Sequence, residues 1–260
     1  MLCLEVYQKL ILVRMRLSSL VILIALSCSI LYIFPVFSKS SFPDRSTEPI
    51  FPSDKIENIG ELPERPGNID VDPETGRLFF TFHPMGNPQQ NCSVCELKEF
   101  FQGFEPFGDQ TLFKTVLSIR VMPRKRLLVA LDHKNLGEVP PTAYFFEVET
   151  QKLVHKFEFP PEIADKGSML NDFVVSKDEN FLFIADIGIL TGKPSIITLN
   201  MQTWKATKSL VAHESTKAKE NPKNFTINGI PVHIPFKVGV DSIALSADGN
   251  TLYFGAIFDP

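Results

Sequence analysis

Four times along the 260-residue chain the same short grammar recurs: an apolar strand, a polar turn and a second apolar strand. The segments are NIDVDPETGRLFFTF (68–82), SIRVMPRKRLLVALD (118–132), NDFVVSKDENFLFIAD (171–186) and DSIALSADGNTLYFGA (241–256). Each reads as a β-hairpin, with period-2 patterning and turn residues between the strands. The second strands start at Leu78, Leu127, Phe181 and Leu252, at spacings of 49, 54 and 71 residues. Intervals of that size match the blades of a β-propeller with insertions. Outer-strand pairs fall between the repeats: AYFFEVE with KLVHKFEF (143–149 and 152–159), and SIITLNM with TWKATKSL (195–201 and 203–210). With 23 Phe and 20 Pro, the composition suits many short strands joined by turns. The reading is an all-β chain of about four propeller blades.

Before the repeats lies a different physical object. Residues 17–37, LSSLVILIALSCSILYIFPVF, carry no charge and follow Lys9, Arg14 and Arg16. A run of that length can cross a hydrocarbon core of about 30 Å. Two readings stay open: a single-pass signal anchor, or a cleaved signal peptide, with Met15 as an internal start. Both place the remainder in the secretory lumen or outside the cell. The organisation expected is a basic region at 1–16, a membrane or signal helix at 17–37, a Pro- and charge-rich stalk at 38–60, and blades over 61–260.

The sequons Asn91-Cys92-Ser93 and Asn224-Phe225-Thr226 agree with that compartment and make Asn91 and Asn224 candidate glycosylation sites. Only Cys92 and Cys95 belong to the expected folded part, in a C-x-x-C within a Pro-, Asn- and Gln-rich stretch. The readings are a local loop disulfide or two free thiols; no second ligand pair supports a zinc site. The net charge of −4 argues against nucleic acid as a partner. GILTGKPS (188–195) lacks the spacing of a phosphate loop, and no G-x-S-x-G nucleophile elbow occurs. Arg124-Lys125-Arg126 is read as a solvated hairpin tip.

Five stretches in order carry a resemblance: GRLFFTFHPMGNP, LLVALDHKN, LVHKFEFPPEIADKGSMLNDFVV, GKPSIITLNMQTW and VGVDSIALSADGNTLYFGAI. Together they resemble the major royal jelly protein and yellow family, in its non-insect, yellow-like form, from about residue 61 onward. The resemblance implies a six-bladed β-propeller, of which this chain supplies about four blades and so looks C-terminally truncated. It also implies secretion, and an isomerase activity of the dopachrome tautomerase type.

In a propeller, the innermost strands start at a shared central channel. Three of the four repeats start with a polar residue able to ligate: Asn68, Asn171-Asp172 and Asp241. The second repeat departs from this with Ser118 and Ile119. Carboxylate and amide oxygens arranged so suit a hard cation such as calcium, or a polar ligand. The arrangement is similar to that of the regucalcin and gluconolactonase propellers, whose central metal is held by Asn and Asp at strand starts; that resemblance points to Asn171 and Asp241. The alternative is bracing, because Asp and Asn at strand starts commonly bond to nearby backbone. Asp172 and Asp186 read more as braces.

Three functions follow. One is a carrier of a biogenic amine, catechol or related aromatic in the channel, oriented by Asn68, Asn171, Asp172 and Asp241. Another is a tautomerase in which Asp241 moves a proton between ring carbons. The third is metal-assisted lactone hydrolysis.

Overall fold

The computed structural model describes residues 58–82, 92–98, 103–134, 140–218, 226–227, 230–231 and 237–256, all within the unit Ser40–Pro260. The expected membrane or signal segment at 17–37 and the sequons at Asn91 and Asn224 lie outside the described residues. Among the described residues no helix is long and apolar enough to cross a membrane.

Three four-stranded antiparallel sheets follow one another along the chain. The first is β1 (Pro66–Val71), β2 (Leu78–Phe82), β3 (Val94–Leu97) and β4 (Phe104–Pro106), paired in that order. The second is β5 (Val116–Met122), β6 (Leu127–Asp132), β7 (Thr142–Glu147) and β8 (Leu153–Glu158). The third is β9 (Leu170–Val175), β10 (Phe181–Asp186), β11 (Ser195–Asn200) and β12 (Lys205–Ser209). The short hairpin β13 (Thr226–Ile227) and β14 (Ile230–Pro231) precedes a fourth sheet of β15 (Val240–Leu245) and β16 (Leu252–Ala256). The first strands β1, β5, β9 and β15 pack side by side in that order.

Burial explains which strand takes which place. The β6 residues Leu128, Val129, Ala130 and Leu131 are all buried, because neighbouring sheets cover both faces. A strand covered on both faces needs a continuous apolar run. At the outer rim β8 and β12 alternate exposed with half-buried residues, as LVHKFE and KATKS allow. Phenylalanines fill the gaps between sheets. Phe79, Phe107, Phe113 and Phe146 form an edge-to-face chain between the first and second sheets. Phe145 and Phe173 join the core shared by the second and third. Each such side chain contributes about 1.5–3 kcal/mol by burial.

The turns are wired by short polar side chains. In SKDEN, Asp178 Oδ1 accepts from Ser176 Oγ at 2.6 Å and Asn180 N at 3.1 Å. In SADGN, Asp248 accepts from Ser246 Oγ and Asn250 N at 2.5 and 3.0 Å. The left-handed position is Gly249 in the second of these turns (φ 80°) but Glu179 in the first (φ 58°). Glu179 is buried, and its carboxylate accepts from Arg124 N at 3.0 Å and Lys125 N at 2.9 Å in the turn of the second sheet. Arg124-Lys125-Arg126 is thus not a free hairpin tip: Arg126 also clamps Asp72 of the first sheet through Nη1 and Nη2, at 2.9 and 2.8 Å. That pairing holds the Asp72 carboxyl down at about 2.

One stretch folds differently from its sequence reading. Cys95 lies within β3, with Cys92 just before it; both are buried against Phe80, Phe82 and Phe104 and joined as a disulfide. The surrounding Pro, Asn and Gln mark a loop, but this local signal yields to the pairing of Val94 with Thr81 and Cys95 with Phe80.

Candidate functional site

The first strands of the sheets carry a row of polar side chains among mostly apolar residues. Asn68 and Asp70 come from β1, Arg120 from β5, Asn171 and Asp172 from β9, and Asp241 from β15. Close to these residues the hairpins of β1, β5, β9 and β15 each carry a register irregularity. Such bulges re-aim side chains away from strict alternation.

The row links one sheet to the next. Asn68 Oδ1 accepts from Ile119 N at 3.2 Å and Arg120 Nη1 at 2.7 Å. Asp70 Oδ2 accepts from Val121 N at 2.6 Å. Arg120 Nη2 reaches Asp172 Oδ1 at 2.8 Å, and its guanidinium lies 5.6 Å from the centre of the Phe173 ring. Asn171 Nδ2 donates to Asp241 Oδ1 at 2.7 Å, joining the third sheet to the fourth.

Electrostatics distinguish the carboxyls. Burial, reinforced by the neighbouring Asp172 charge, pushes Asp241 up to about 6. Burial also raises Asp172, with Arg120 opposing the rise. The same cause raises Asp70, opposed first by the Val121 N–H and then by Arg120. The one guanidinium therefore acts on Asp172 and Asp70, and Asp241 is the carboxyl of the row without a cationic partner among the described residues.

Part of this arrangement follows the strand-start expectation and part does not. Asn171 and Asp241 meet directly. Asp172 joins Arg120, and Asn68 stands at the other end of the row. Arg120 and Asp70 lie outside the strand-start pattern. A usable signal existed: an Arg inside the buried strand SIRVM needs a carboxylate partner, because an unpaired charge is costly away from water. Asp186, expected to brace, is buried and accepts from Ser168 Oγ, Met169 N and Gly188 N at 3.0, 3.1 and 3.1 Å.

Arg120 sets a fixed positive charge on Asp172, and no three His, Cys, Asp or Glu side chains cluster as ligands among the described residues. Along the row three carboxyl groups, Asp70, Asp172 and Asp241, accompany the one guanidinium of Arg120.

Comparison with known proteins places part of the chain. The family model described as major royal jelly protein matches residues 132–258, the part that contains the third and fourth sheets. No curated protein is a significant match. Among solved structures, the periplasmic gluconolactonase of Pseudomonas aeruginosa aligns at 14% identity and TM-score 0.43, covering 74% of this chain and 50% of its own. The extracellular domain of a hybrid two-component system from B. thetaiotaomicron aligns at 14% identity and TM-score 0.48, covering 77% of this chain and 23% of its own. The chain thus spans about half the length of the gluconolactonase.

Proposed function

We propose, from the premise that residues 132–258 are a major royal jelly protein segment, that the four sheets are consecutive blades of a six-bladed β-propeller whose channel binds a small organic cation. The ligand class is a biogenic amine, catechol or related aromatic. The observation that carries this reading is Asp241, a carboxyl on an inner strand, bonded to Asn171 and free of any cationic partner among the described residues. Its charge favours an ammonium group, and the Asn171 amide holds the carboxylate in place. The protein is secreted or membrane-tethered, as the segment at 17–37 and its family both favour.

A second reading is a tautomerase of the dopachrome type, favoured by the proton affinity of Asp241. A carboxyl near 6 exchanges its proton readily close to neutral pH and can take a proton from a saturated ring carbon and deliver it to a quinone oxygen. Calorimetry with dopamine tests the first reading. The decay of dopachrome absorbance, against the uncatalysed rate and in Asp241→Asn, tests the second: decay no faster than in buffer rules the enzyme out.

A further inference from the structure

Arg120 is only partly used by the protein. Its Nη1 serves Asn68 Oδ1 and Ile119 O, and its Nη2 serves Asp172 Oδ1. A guanidinium has five N–H donors. The Nε–H and one Nη2–H therefore have no acceptor among the described residues, and about a fifth of the side chain is open to solvent. Acceptors are also left over. Asp172 binds Arg120 and Phe173 N through Oδ1, and Asp241 binds Asn171 through Oδ1, so the Oδ2 atoms of both have no hydrogen-bond donor among the described residues. Leftover donors thus stand on β5 and leftover acceptors on β9 and β15, along one row.

We propose that the site reads the head group of an α-amino acid: Arg120 receives the ligand carboxylate, while Asp241 and Asp172 receive its ammonium. This rests on the reading of the row as a site for organic cations, and narrows the ligand from amines in general to those that keep a carboxylate. A plain amine satisfies the acceptors but leaves the two Arg120 donors unmatched. The zwitterion satisfies both. Arg suits the task better than Lys because its planar fork meets both oxygens of a carboxylate. The apolar Phe173 ring beneath the guanidinium holds that fork in orientation. The role is specificity; no bond is made or broken.

Calorimetric titration of the full-length chain in mild detergent at pH 7.5 tests this with matched probes: L-DOPA, its methyl ester and dopamine. L-DOPA is expected to bind about tenfold or more tightly than either probe without the carboxylate, since a charge-assisted pair is at stake. Arg120→Lys should shrink that ratio to about threefold or less by losing the fork. The ester comparison needs no variant, so the proposal stands or falls even if Arg120→Lys does not fold. Dopamine binding with no preference for L-DOPA overturns this inference and leaves the amine site standing. Absence of binding by all three probes overturns both.

Discussion

Arg120 and Asp172 meet at 2.8 Å across the boundary between the second and third sheets, on strands whose other side chains are mostly apolar. On its other side the same guanidinium holds Asn68, so one side chain ties three consecutive sheets together. Sheets that share no backbone hydrogen bonds depend on such contacts, and on phenylalanine packing, for their register.

Arg120→Met should therefore destabilise the fold by about 1–3 kcal/mol, mainly by leaving Asp172 half-buried and unpaired. Adding Asp172→Asn should recover part of that loss. Urea unfolding of both single variants and the double variant measures the coupling; strict additivity would mean that the pair does no structural work.

The raised Asp241 carboxyl predicts a particular pH dependence. Its folded-state value of about 6 exceeds the ordinary 3.8, so between these values the folded chain holds the proton more tightly than the unfolded one. The resulting stabilisation is fully present below about pH 4 and is lost as pH rises through 6. Asp241→Asn removes this dependence. The stability of the variant relative to the parent should rise between pH 4 and 6 and level off above. A difference that is flat, or that falls, across that window contradicts the assignment.

Glu179 occupies a left-handed position where the SADGN turn has glycine, and its carboxylate bonds two backbone N–H groups of the next turn. Glu179→Ala should cost about 1–3 kcal/mol, because the acceptors are lost while the strained backbone remains. Glu179→Gly loses the same acceptors but relieves the strain, and should be the less damaged of the two by about 1 kcal/mol. Thermal melts that rank them the other way would assign the stability of this turn to something other than the carboxylate.

The hairpins were legible because each is a local pattern. Leu78, Leu127, Phe181 and Leu252 begin β2, β6, β10 and β16 in the structure, as the spacing of the turns implies. SKDEN and SADGN declare their turns within five residues. β3 and β4 were not legible: VCEL and FEP are short, carry Cys, Glu and Pro, and become strands only by pairing onto β2 and each other. The row of polar side chains is half legible for a similar reason. Polar strand starts pointed to Asn68, Asn171, Asp172 and Asp241, but their partners lie 52 and 70 residues away. Arg120 was hidden in a repeat whose Ser118-Ile119 start broke the pattern of acids and amides, although it is the residue that joins the others.

The proposed binding of a small organic cation through Asp241 is tested most directly by calorimetric titration of the 260-residue chain with dopamine at pH 7.5, in the parent and in Asp241→Asn. Saturable one-to-one binding in the parent, weakened about tenfold or more in a variant that still melts cooperatively, is the expected result. Equal affinity in the two, or no saturable heat in the parent, would contradict it.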